Sequence, residues 1–395
     1  MKNSYLATFL SILVMVLSIN TALADTWFYK PIFHMEGLGE TNRQLRTSDE
    51  KGTAGGEGRA GVQLSSKSET SELFVRGILH SERYDGGDER GRDSDDQLFY
   101  AGGNWRGERS SFSMNGQYLR QTTSVTELED TGNVQTDDRK VTTRLAPQFN
   151  YSLFEDIQVF AGLNYTDVEF PNATPVNTTE YDVKGGNGGV VYTIDELNSI
   201  TFTGYYSEYE ADTFTSDVDS VGGNIRYNKT FNERWQGYVG LGYRKSNYKF
   251  INNMNNIERD SDTGETYELG FTYQKSELER LTFRVVNQLQ PSSSGNVNDR
   301  LEFRSSYRKQ LSPRITGVAN LLWLENESVN DDSGNDNREY WQSIIGLDYR
   351  LTEMWSLTGR YRHREQEYVD RANSSKADSD AILIGIRFNG RDKRI

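Results

Sequence analysis

From about residue 150 onward, apolar and polar residues alternate with period two, in runs that end beside a Tyr or Trp and a short polar turn. One copy reads Val221, Gly223, Ile225, Tyr227, the turn Thr230-Phe231-Asn232-Glu233-Arg234, then Trp235, Gly237, Val239, Leu241, Tyr243. Others centre on Tyr151, Tyr192, Tyr273, Tyr307 and Tyr349, a repeat of about 40 residues that holds two long strands and two connections. In lipid no backbone polar group can stay unpaired, so alternating strands of this length with aromatic residues beside the turns predict a closed transmembrane β-barrel.

The period-two runs place strands over 27–41, 56–66, 72–84, 95–107, 110–122, 138–151, 156–168, 179–193, 198–212, 217–231, 234–250, 263–276, 279–290, 297–310, 314–328, 338–350, 354–370 and 379–389. The expected fold class is all-β: a single transmembrane antiparallel up-and-down barrel of about 18 strands, with 16 as the alternative count. Tight turns at 152–156 and 351–353 face the periplasm, and the long polar loops at 85–95, 123–138, 251–262, 329–337 and 371–379 face outward. No loop is long enough for a separate plug domain, so one domain is expected over 25–395. A secreted propeller has a similar repeat length, but it requires a blade signature and strands apolar on both faces, which the chain lacks.

Ahead of the barrel, Lys2, the apolar run Tyr5 to Ile19 and Ala22-Leu23-Ala24 read as a signal peptide over 1–24, cleaved before Asp25. The chain has no Cys. Mean hydropathy is −0.75 and only 35% of residues are hydrophobic. A barrel averages to polar because alternate residues alone meet lipid, and the 23 Tyr, 18 Phe and 6 Trp supply the interfacial rings. Outer-membrane lipid and lipopolysaccharide are therefore the expected surroundings, reached through the barrel assembly machinery, and no nucleic-acid partner is expected.

Setting the turn-flanking aromatics outward fixes the inward face. It places Arg360, Arg362 and Arg364 on one wall of the lumen, with Arg226, Arg244, Arg284, Arg304 and Arg308 also inside, together with Arg76, Arg144 and Arg387. Two readings stand side by side. The arginines pair with inward acids such as Glu268, Glu302 and Asp348 and brace the wall, or their excess makes a positive interior that selects anionic saccharides. Under the second, replacing Arg360, Arg362 and Arg364 by Ser lowers anion selectivity and leaves the fold intact.

Inward Tyr205, Tyr209, Tyr238 and Tyr248 form either filler or a track for sugar rings. The net charge of −14 concentrates in loops, in Asp85, Asp88, Glu89, Asp93, Asp95, Asp96 and in Glu127, Glu129, Asp130, Asp137, Asp138. These are solvated charges or sites for divalent ions bridging lipopolysaccharide. Only His34, His80 and His363 occur, and His80 and Ser81 point to opposite faces, so no catalytic residues are expected. No metal-ligand spacing, phosphate loop or nucleophile elbow appears, and no cofactor is expected.

Trp27-Phe28-Tyr29-Lys30-Pro31-Ile32-Phe33, then Gly39-Glu40-Thr41-Asn42, and the closing run Ala381-Ile382-Leu383-Ile384-Gly385-Ile386-Arg387-Phe388 resemble the β-barrel porin-2 group. That resemblance implies an eighteen-stranded conduit for an extracellular polysaccharide, served by a short periplasmic polysaccharide-export protein docking at the periplasmic turns. It departs from the group at Phe388, which is followed by Asn389-Gly390-Arg391-Asp392-Lys393-Arg394-Ile395, so assembly would have to use an internal aromatic residue. The leading expectation is a passive conduit exporting an anionic polysaccharide. The alternatives are an uptake porin for small anionic saccharides and a structural or adhesive surface barrel.

Overall fold

The computed structural model describes residues 26–48, 50–85, 93–130, 139–171, 179–212, 217–251, 257–293, 297–328, 337–369 and 374–394. The signal segment and the loop acids Asp88, Glu89, Asp137 and Asp138 lie outside the described residues, as do the side chains of Glu129 and Asp130.

The strands, in chain order, are β1 (Trp27–Glu40), β2 (Thr53–Lys67), β3 (Ser71–Asp85), β4 (Ser94–Arg106) and β5 (Ser110–Thr122), then helix α1 (Thr123–Asp130). β6 (Arg139–Ser152), β7 (Ile157–Glu169), β8 (Tyr181–Asp195), β9 (Asn198–Ala211), β10 (Asp217–Asn232) and β11 (Trp235–Ile251) follow. The chain continues through β12 (Ile257–Ser276), β13 (Glu279–Pro291), β14 (Val297–Gln310), β15 (Ile315–Ser328), β16 (Arg338–Arg350), β17 (Trp355–Val369), β18 (Ser374–Asn389) and the short β19 (Lys393–Arg394). Each of the eighteen long strands pairs antiparallel with the next, and β1 closes on β18 from Ile32↔Asn389 to Glu40↔Ala381. β19 adds two rungs, Phe28↔Arg394 and Tyr29↔Lys393, below that closure. The barrel has eighteen staves, not sixteen.

The alternation does what lipid requires. Leu79, Leu163, Leu241, Ile345, Ile382 and Ile384 stand on the outer face, each more than half exposed in the isolated chain. Near the periplasmic ends the rings of Trp235 and Tyr273 stack with centroids 4.1 Å apart, and Trp355 meets Phe388 at 4.9 Å. Tyr206, Tyr243, Trp341 and Tyr361 are exposed near the other rim. An apolar belt between aromatic rings is the surface of an outer-membrane barrel. Periplasmic turns are tight: the Leu153 N–H donates to the Ile157 carbonyl at 2.9 Å, and the Leu351 N–H to that of Trp355 at 2.9 Å.

Two strands start well before their apolar alternation does. β12 begins at Ile257 rather than 263 and β18 at Ser374 rather than 379, because an extracellular hairpin rising past the lipid belt keeps its ladder without an apolar face. The other departure is α1, in a stretch expected to be open loop. It turns into the barrel. Leu128 packs against the inward cluster Leu45, Leu322, Leu324, Tyr340 and Ala377, and its carbonyl accepts from Arg338 of β16, 210 residues away, at 2.6 Å.

Candidate functional site

Part of the lumen wall is built by arginines, Arg226, Arg362 and Arg364, that lie over a small residue on the neighbouring strand and pair with an acid one strand further on. Arg226 on β10 sits opposite Gly240 on β11 and reaches Glu268 on β12, with Nε to Oε1 and Nη2 to Oε2 both 2.6 Å. A Cβ at Gly240 would lie 2.6 Å from the Glu268 side chain, so the bridge needs the glycine. Arg362 and Arg364 on β17 sit opposite Ala381 and Ser379 on β18 and converge on Glu40 of β1, at 3.0 and 2.5 Å. Ser379 Oγ also donates to Glu40 at 2.9 Å. The Glu40 side chain is fully buried, and a third arginine, Arg43, stands 3.9 Å from it. Arg360 pairs with Asp348 of β16.

The wall of three arginines is thus engaged rather than free. Arg304 pairs with Glu302 at 2.6 Å, Arg244 with Asp299 at 2.5 Å, and Arg308, largely exposed, stands 4.0 Å from Asp348. Among the described residues Arg284 has no ion-pair partner and is exposed to the lumen. Replacing Arg362 and Arg364 would strand Glu40, so the expectation of an intact fold after the triple Ser substitution gives way to one of destabilisation.

The four tyrosines separate. Tyr209 and Tyr248 are buried with Tyr181, Val218 and Val297 in an apolar cluster near the extracellular end, where they fill space. Tyr205 lines a cavity of about 310 Å³ with Arg244 and Arg284, and Tyr238 lies under Arg226 at 4.8 Å and borders a cavity of about 430 Å³ nearer the periplasm. They form two separate surfaces, not one track.

Two acids assigned to outer loops point inward instead. Asp96 accepts from Arg139 at 2.8 Å, and Glu127 of α1 pairs with Lys140 at 2.8 Å and accepts from Ser293. Both carboxylates are buried, which no loop-composition argument could show. His80 stands among acids: Nδ1 is 3.2 Å from Asp96, and Nε2 is 3.2 Å from Glu57 and 3.4 Å from Glu82. Among the described residues Glu57, His80 and Glu82 are the group whose donor atoms, all within 4.8 Å, are close enough for a metal ion. Arg43 on Glu82 at 2.9 Å and Arg59 on Glu57 at 3.1 Å already balance these carboxylates, the arrangement of a brace. Ser81 instead donates to Asp95 at 2.7 Å, on the opposite face from His80.

Sequence reading missed the constriction. The segment after β1 folds inward, with Leu45 in a left-handed backbone conformation, φ 48°, and its side chain 1% exposed. That conformation costs about 1–3 kcal/mol for a non-glycine residue, and burial of the leucine against Leu322, Leu324 and Tyr340 offsets it. Gln366 donates to the Leu45 carbonyl at 3.2 Å and Arg364 to that of Arg43 at 2.9 Å. Together with α1, this segment narrows the extracellular mouth beside a cavity of about 350 Å³ lined by Arg43, Arg59, Arg360 and Arg362. The signal available in the sequence was Leu45 and Leu128, apolar residues in otherwise polar loops.

No family model matches the chain. The outer membrane usher protein PmfC of Proteus mirabilis (strain HI4320) is 24% identical over 220 residues, half of this chain, and the chain spans about a quarter of that relative's length. Among solved structures, Pseudomonas aeruginosa OpdK with vanillate is 10% identical with a TM-score of 0.45, over 92% of this chain and 98% of that one. Acinetobacter baumannii OccAB4 is 9% identical with a TM-score of 0.47, over 94% and 99%.

Proposed function

We propose that this barrel is a passive outer-membrane pore for small polar solutes, sugar acids foremost. The observation that carries the reading is the lumen itself. It is polar and ion-paired from rim to rim, it is narrowed at its outer mouth by α1 and the 41–48 segment, and it holds Arg284 exposed without a partner beside the 310 Å³ cavity. A hydrated passage with an exposed, uncompensated guanidinium such as that of Arg284 favours carboxylated sugars over neutral ones of the same size. Export of an anionic polysaccharide is the second reading; it rests on the likeness of the first and last strands and requires α1 and the 41–48 segment to leave the lumen. A periplasmic partner would then meet the exposed turn residues Phe154, Leu197, Leu278 and Leu311.

The test is conductance of the refolded protein in planar bilayers with glucose or glucuronate added. Anion-selective current that glucuronate interrupts more than glucose does is expected. A barrel silent both as it stands and with residues 123–130 replaced by a Gly-Ser linker overturns the pore reading.

A further inference from the structure

One stretch of wall is held shut without backbone hydrogen bonds. The ladder between β12 and β13 ends at Glu268↔Val286, yet β13 runs on to Pro291 against β14 and β12 continues to Ile257 against β11. The last five residues of β13, Asn287 to Pro291, therefore have no rung on the β12 side. Pro291 has no N–H to donate, and Leu289 turns inward to pack on the Tyr209 and Tyr248 cluster, so the two strands diverge. The notch sits at the level of the lipid belt: Tyr267, the first residue past the last rung, is exposed opposite the exposed Leu241.

Side chains bridge the notch from within. Arg244 of β11, 2% exposed, passes over Gly264 of β12 and reaches Asp299 at 2.5 Å, while Asn287 donates to the same carboxylate at 2.7 Å. A Cβ at Gly264 would lie 2.9 Å from that guanidinium. The cavity behind is lined by Arg244, Arg284, Thr266, Tyr267 and Leu289, joining lumen-facing and lipid-facing residues.

We propose that the notch between β12 and β13 is a lateral port for an amphiphile with an anionic head, the head held by Arg284 in the lumen and the chain lying against Tyr267 and Leu269. Arg284 is the fitting anchor: it lies two residues below the last rung on β13, opposite Gly270, and is free of ion pairs among the described residues. Leu269 and Tyr267 are exposed on the outer face of the facing strand. Arg244 is the latch, because it closes the gap with side-chain contacts, the ion pair to Asp299 and a 3.4 Å hydrogen bond to Asn287 Oδ1, and can swing without breaking a ladder. The port is independent of which solute uses the main pore.

The chain has no Cys, so a single thiol reports access directly. Asn287→Cys and, as a control under a fully paired wall, Ser306→Cys are reconstituted in vesicles and treated with dodecyl maleimide. The port predicts labelling at 287 at least tenfold faster than at 306. Dodecyl phosphate slows it severalfold and inorganic phosphate does not, and this protection is lost in Arg284→Gln. Equal rates at the two positions overturn the port, and protection by inorganic phosphate equal to that by dodecyl phosphate overturns the amphiphile. Both readouts are independent of conductance, so a silent pore leaves this result standing.

Discussion

Two regions of the wall use the same device and differ in what lies beneath it. At β17, β18 and β1, arginines cross a strand of small residues to Glu40 above a ladder that is continuous on both sides. At β11 to β14, Arg244 crosses Gly264 to Asp299 where the ladder between β12 and β13 has already stopped. In the first region the ion pair adds to a sheet that is closed anyway; in the second it and the hydrogen bond from Arg244 to Asn287 are the closure. An ion pair rearranges far more readily than a run of backbone rungs, so the same chemistry makes one place rigid and the other able to open.

The largest effect is expected where burial is deepest. Glu40→Ala leaves the buried Arg364 and the nearby Arg362 without their carboxylate, which should cost about 3–5 kcal/mol, read as a fall in the urea midpoint of the barrel refolded in vesicles. An unchanged midpoint would show that the pairing of Arg362 and Arg364 with Glu40 does not hold the wall. Arg244→Ala should cost less, about 1.5–3 kcal/mol, since Asn287 still donates to Asp299, which is about a third exposed. Its distinctive mark is faster hydrogen exchange confined to 287–291 and the facing part of β12; uniform loosening of the barrel would show that the two regions are one. Arg308→Gln, at an exposed arginine 4.0 Å from its acid, should shift the midpoint by less than about 0.5 kcal/mol. A larger shift would mean that exposed lumen charges also carry the wall.

Much of the barrel is legible in the chain. Runs such as Trp235 to Tyr243 state both strand and facing, and the inward placement of Arg226, Arg360 and Arg364 follows from the same alternation. The partners of those arginines do not follow. Which residue lies beside Arg364 depends on the register between β17 and β18 and on the closure of β18 onto β1, which joins positions more than 300 apart in sequence. Composition placed Asp96 and Glu127 in outer loops because acids favour water, but each is buried beside its own cation. Leu45 and Leu128 gave a faint signal of inward folding, and their target, Tyr340 with Leu322 and Leu324, is set by the fold alone.

By itself, then, the sequence determined a membrane-spanning barrel, its strand count to within one hairpin and which face of each strand is polar, because period-two alternation is a local property that lipid enforces rung by rung. The tertiary structure alone decided how charge is distributed inside. It paired Arg226, Arg244, Arg304, Arg360, Arg362 and Arg364 with acids, left Arg284 among those without an ion pair in the described residues, drew α1 across the mouth and ended one ladder early. All of these depend on register and closure, which bring distant residues within a few ångströms and which no local pattern encodes.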